Sequence, residues 1–176
     1  MEILIIGGAI VALMVYVSTR IKRSAAAAYD REIIETEEFS IRKPEGFMHP
    51  LRENSEFAFE AFSEVYGDGE LRNFWQSNAE LLVHSDKKFK DVCAEAKKNA
   101  DEILSEKILT NAPADQRICL IEGEQTSDEV KKRIFWKIVE SLSRKKVYEF
   151  RVFVLDNHLS DQSSKTEEIL EGFTVK

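Results

Sequence analysis

The sequence predicts an α+β fold: an antiparallel sheet of about six strands sandwiched with two helices, behind one N-terminal transmembrane helix. Three observations predict it. Stretches of alternating apolar and polar residues recur along the chain, joined by short polar connections. Two other stretches, one mid-chain and one near the end, carry apolar residues at helical spacing instead. Residues Ile3 to Val17, reading ILIIGGAIVALMVYV, hold no charge at all.

The apolar run comes first. Its fifteen residues rise roughly 22 Å as a helix, against a hydrocarbon core of about 30 Å. Ser18, Thr19 and Ile21 extend the span, and Arg20 and Lys22 can snorkel to the headgroups. Ile3, Leu4, Ile5, Ile6, Ile10, Val11, Leu13, Met14, Val15, Tyr16 and Val17 make up the anchor. A cleaved signal peptide is the rival reading. It wants a basic start, whereas this chain opens Met1-Glu2, and the one small-residue stretch, Ser24 to Ala28, lies behind three basic residues. The basic residues all follow the run, which predicts a single-pass protein at the cell membrane with its large C-terminal part in the cytoplasm.

Three segments follow from this reading: an anchor with its basic flank over 1–23, an acidic stalk over 24–37, and one α+β domain over 38–176. The whole chain of 176 residues has a formal charge of −7. Beyond residue 23 there remain 22 basic against 31 acidic side chains, a net −9. So acidic a domain has no electrostatic footprint for nucleic acid and is repelled by anionic headgroups. Two well-separated cysteines make neither a disulfide framework nor a metal ribbon.

In the stalk, SAAAAYDREIIETEE starts with a strong helix former and turns acidic. Glu35, Glu37 and Glu38 lack the Asp/Asn/Gly frame of a cation loop and read as solvated. Phe39-Ser40-Ile41-Arg42 alternates as a half-buried strand, and Lys43-Pro44-Glu45-Gly46 supplies a turn before Phe47-Met48. Residues 56–66 fit either a strand or a helix. Dense aromatics and the Gly67-Asp68-Gly69 turn favour a strand, paired through a hairpin with the run ending Ala79 to His84. Next comes an amphipathic helix of five or six turns, capped by Ser85 or Asp86, its stripe running from Phe89 through Val92, Cys93, Ala96 and Ala100 to Ile103 and Leu104. A meander of three strands follows: Arg117 to Glu122 turning near Gly123, Val130 to Glu140, and Val147 to Leu155. Trp136, in phase with Ile134 and Ile138, belongs to the core. A capping-box pattern, Ser164-Lys165-Thr166-Glu167, precedes Ile169, Leu170 and Phe173 on the last helix.

This order of elements resembles the PsbP-like superfamily. The matching residues are Phe39, Ile41, Pro44, Gly46 and Phe47 at the opening, then Ile169, Leu170 and Phe173 in the closing helix. Trp is commoner than Phe at the position matched to Phe47. Members of that superfamily include an extrinsic photosystem subunit, a Ran-binding transport factor and membrane-attached bacterial proteins. The resemblance spans about residues 38–175. It implies an antiparallel sheet between helices and a non-enzymatic binding or accessory role, and it carries no catalytic residue across.

Catalytic patterns are otherwise absent: no GxSxG elbow, HExxH, P-loop or GxGxxG occurs. Cys93 with His84 or His158 as base is the only nucleophile arrangement to weigh, and Cys93 sits on the apolar stripe of its helix, where a buried core thiol is the plainer reading. His49, His84 and His158 never fall at metal-ligand spacing. No cofactor is implied. Phe74 and Trp75 are the candidate binding residues: adjacent in a strand they would point to opposite faces, and one of them would be free to anchor a protein partner. The expectation is a membrane-anchored, non-enzymatic interaction protein. A cleaved or inverted version binding an extracytoplasmic partner is the alternative.

Overall fold

The computed structural model describes residues 2–50, 55–109 and 112–176, with the side chains of 2–12, 23 and 24 outside that description. Helix α1 runs Glu2–Ala27. Beyond it the first three strands are β1 (Glu32–Glu35), β2 (Phe39–Lys43) and β3 (Phe47–Met48). Strands β4 (Phe59–Ser63) and β5 (Ser77–His84) then lead into helix α2 (Phe89–Asn99). Four long strands follow, β6 (Glu102–Leu109), β7 (Gln116–Ser127), β8 (Val130–Ser141) and β9 (Lys146–Leu155). Helix α3 (Leu159–Gly172) and the short β10 (Thr174–Val175) complete the order.

Antiparallel pairing builds a seven-stranded sheet, β3-β4-β5-β9-β8-β7-β6, and a three-stranded one, β1-β2-β10. The α+β class is as expected, but the sheet is larger than six strands. Two strands enlarge it: β3, which pairs with β4, and β6, where residues 102–109 form a strand rather than the last turns of a helix. The strand at Phe39 leaves it for the small sheet, where Glu32–Glu35, inside the predicted stalk, pairs with β2 from Glu32↔Lys43 to Glu35↔Ser40. Thr36 closes that pair tightly, its hydroxyl accepting from Phe39 N at 3.0 Å.

The two faces of the large sheet are covered at opposite ends. On one, α3 and the small sheet bury Phe59, Leu81, Phe150, Val152 and Val139 against Ile41, Ile169 and Phe173. On the other, α2 sets Phe89, Val92, Cys93 and Ala96 onto Cys119, Ile121, Ile134, Trp136 and Ile138. Alternation along β7 to β9 feeds both faces, which is why these strands read as apolar on both sides. Trp136 is buried as expected.

Helix α2 is shorter than its sequence stripe. It starts at Phe89 after Lys88, without a side-chain cap from Ser85 or Asp86, and stops where Ala100 takes an extended conformation. Ile103 and Leu104 are exposed on β6. The β7–β8 hairpin turns at Asp128 and Glu129, whose φ angles are 52° and 64°, and not at Gly123. Gly123 pairs within the ladder, where a Cβ would come within 2.8 Å of Glu102 O. The Ser164–Glu167 pattern lies inside α3, which begins at Leu159 out of a 3-10 turn.

The expected transmembrane helix is not found: among the described residues no helix is long and apolar enough to cross a membrane. Ile3, Leu4, Ile5, Ile6, Ile10 and Val11 belong to α1, but their side chains lie outside the described residues. Leu13, Met14, Val15, Tyr16 and Val17 are all exposed.

The exit from α1 is clamped to the domain. Lys43 is wholly buried, and its ammonium donates to Ala28 O at 3.1 Å, to Phe47 O at 2.6 Å and to Asp30 O. Gly46 N donates to Tyr29 O at 2.7 Å, and Arg31 pairs with Glu168 of α3 at 2.8 Å. Burial pushes the Lys43 pKa down, against the pull of Glu32 and Asp30.

Candidate functional site

Because α2 covers only the β7–β9 side of its face, no helix among the described residues covers the β4–β5 side. Register fixes what lies there. Phe62, Asn78 and Phe153 form one cross-strand row; Glu60, Glu80, Arg151 and Trp136 form the next. Residues 64–76 fold back over the first row. Trp75 joins this loop to Tyr66 through one isolated bridge, and Gln76 N donates to Val65 O at 3.0 Å.

Phe74 and Trp75 are therefore not strand neighbours facing opposite ways. They sit in a turn that follows the 3-10 residues Gly69–Leu71, and both line one cleft of about 260 Å³ with Phe62, Asn78, Lys132 and Phe153. Trp75 lies between two rings, Phe62 at 4.1 Å and Tyr66 at 5.8 Å between centroids. Phe62 is 8% exposed and Tyr66 47%, so the stack leads from the core to solvent. Lys132 Nζ stands 5.6 Å over the Phe74 ring.

The floor is charged and held in place. Glu80 accepts from Arg151 Nε at 2.8 Å and from Asn78 at 3.1 Å. The guanidinium also lies 5.5 Å from the Phe153 ring and 5.7 Å from Phe57. Glu149 meets His84 Nε2 at 2.9 Å. A cleft with stacked aromatic walls and fixed charges at its base can seat an amphipathic side chain. The sequence pointed to Phe74 and Trp75 but missed Asn78, Glu80, Lys132 and Arg151. Their signal is the polar phase of strands whose apolar phase marks the core.

The residues weighed for chemistry are dispersed or sealed. His84 is tied to Glu149, while His49 Nδ1 lies 2.7 Å from Glu60 O and its ring stacks on Phe59. Cys93 and Cys119, both buried free thiols, meet beneath α2. A hydrogen bond between them and their burial push the Cys93 thiol far up, away from the thiolate a nucleophile needs. Among the described residues no cluster of His, Cys, Asp or Glu could hold a metal ion.

No protein-family model matches the chain, and no curated relative is found by sequence. Solved structures do resemble it. LpqN of Mycobacterium tuberculosis, described as involved in cell envelope biogenesis, superposes with a TM-score of 0.55 at 12% identity over 84% of this chain and 91% of its own. The cyanobacterial PsbP of Synechocystis sp. PCC 6803 gives 0.55 at 13% identity over 84% and 94%. The Ran-binding protein Mog1p of Saccharomyces cerevisiae gives 0.52 at 12% over 84% and 96%. Likeness at these identities establishes the fold, which is PsbP-like.

Proposed function

We propose that this chain is a membrane-tethered, non-catalytic interaction protein, in which α1 holds the domain at a bilayer and the Phe74–Trp75 cleft receives a protein partner. The observation that carries the reading is the Phe62–Trp75–Tyr66 stack, its outer ring exposed on a part of the sheet that no helix among the described residues covers. Buried aromatic stacks with an exposed rim suit the anchoring residues of an interface. The tether is supported by Leu13 to Val17. Five consecutive exposed apolar residues point around the whole circumference of a helix, a distribution suited to an apolar medium. Arg20, Lys22 and Arg23 after the run favour a cytoplasmic domain. The Ran-binding role of Mog1p lends a binding role the support of analogy.

Membrane fractionation with a C-terminal reporter, read in intact cells, tests the tether. The expected result is a carbonate-resistant chain with a cytoplasmic reporter. A chain found wholly in the soluble fraction refutes the anchor; an external reporter overturns the topology and favours an extracytoplasmic binding role. For the cleft, a photo-crosslinking amino acid at Phe74 is expected to capture a partner that Trp75→Ala releases. Equal capture by both forms refutes the cleft.

A further inference from the structure

A second surface lies at the far edge of the large sheet. Strand β6 bonds β7 on one side, and among the described residues no strand lies on its other side. The opposite edge, β3, is two residues long, whereas β6 is eight, seven of them exposed. An edge of this length leaves a row of backbone donors and acceptors open to an added strand.

The edge is flanked by a cleft on each face. On the α3 face, Leu109 borders about 400 Å³ lined by Leu120, Phe135 and Leu170. On the α2 face, Ile108, 62% exposed, borders about 620 Å³ lined by Phe89 and Pro113. Successive residues of an added strand point to opposite faces, so two neighbouring side chains reach both clefts at once. Charge selects the next position. Glu106 is already bound by Lys97 at 3.1 Å, but Lys107, paired across the ladder with Leu120, has no ion pair among the described residues.

We propose that β6 receives an extended segment of a partner protein as an added antiparallel strand, bearing large apolar side chains opposite Ile108 and Leu109 and a carboxylate opposite Lys107. A second copy of this chain fits less well. Two-fold antiparallel pairing sets only even positions against even and odd against odd, so neither Glu102 nor Glu106 of a second copy can stand opposite Lys107, and the domain is strongly acidic.

The test uses the full chain in detergent micelles and labelled ten-residue peptides with an Ile-Ile-Glu core between threonines, read by fluorescence anisotropy. The glutamate peptide is expected to bind about threefold more tightly than its lysine counterpart. A proline in the core should abolish binding. Lys107→Glu should invert the glutamate-over-lysine preference, Ile108→Lys should weaken both peptides, and Trp75→Ala should change neither, which separates this edge from the aromatic cleft. Absence of binding, or a preference that survives Lys107→Glu, overturns the proposal. So does a concentration-dependent dimer in sedimentation velocity that Ile108→Lys dissolves, since the edge would then belong to a second copy.

Discussion

Replacing Lys43 by Met keeps the length of the side chain and removes only its ammonium. Three carbonyls then lose their donor: Phe47 O, Ala28 O and Asp30 O. The bond to Phe47 O is fully buried, and losing a charged donor there costs about 1.5–3 kcal/mol. The other two carbonyls are partly reached by water, so each loses about 0.5–1.5 kcal/mol. Relief from burying a charge returns a few kcal/mol at most, leaving a net loss of about 2–3 kcal/mol. With an urea slope of about 2 kcal/mol/M, the unfolding midpoint should fall by roughly 1 M. Fluorescence of Trp75 and Trp136 in the purified chain reports it. The sign of the pH dependence adds a second check. The Lys43 pKa is lowered on folding from 10.5, so between its lowered folded-state value and 10.5 the unfolded chain holds a proton that the folded one has given up. Wild-type stability relative to Lys43→Met must therefore rise as pH climbs toward 10.5. A midpoint shift within error, or a gap that narrows over that range, would refute the reasoning.

Tyr148 should show the opposite slope. Burial and its hydrogen bond to Glu38 at 3.0 Å push its pKa from 10 up to about 12, so stability is lost as pH rises through that window, and Tyr148→Phe should lack this limb in urea titrations. Gly172→Ala should cost about 1–3 kcal/mol, because its Cβ would stand 2.5 Å from Arg42 Cβ where α3 meets β2; a melting temperature equal to wild type would contradict that close approach. Cys93 and Cys119 should resist iodoacetamide until the chain unfolds, as followed by intact mass. Stoichiometric labelling of Cys93 in the native chain would instead revive the nucleophile reading.

The meander β7–β9 was legible because each strand keeps period-two alternation over ten residues or more, and so was the burial of Trp136 between Ile134 and Ile138. Strand β6 was not. Ile103 and Leu104 continue the helical spacing of α2 by coincidence, and the irregular register between Ile103 and Ser105 spoils the alternation that would have marked a strand. Gly123 looked like a turn because glycine is ambiguous in sequence. Here it serves the close approach of β6, while Asp128 and Glu129 adopt the left-handed conformation of the hairpin. At the site, Phe74 and Trp75 could be picked out as aromatics, but their sharing one cleft depends on Phe62, on the preceding strand, and on Phe153, far along the chain. The role of Lys43 depends equally on contacts out of sequence reach, since a lysine before a proline reads as an ordinary turn residue.

The exit from α1 has a mechanical meaning. A pull on α1 along the axis of β1 loads the four rungs of the β1–β2 ladder in shear, so the bonds from Glu32 to Glu35 bear the force together rather than unzipping one by one. The load arrives first at the Glu32↔Lys43 rung, where the lysine grips three carbonyls. It then passes through β2 to β10 and to α3, spreading into the main core. A domain mounted in this way follows the motion of its helix as a rigid body, and a partner held in the aromatic cleft would be carried with it.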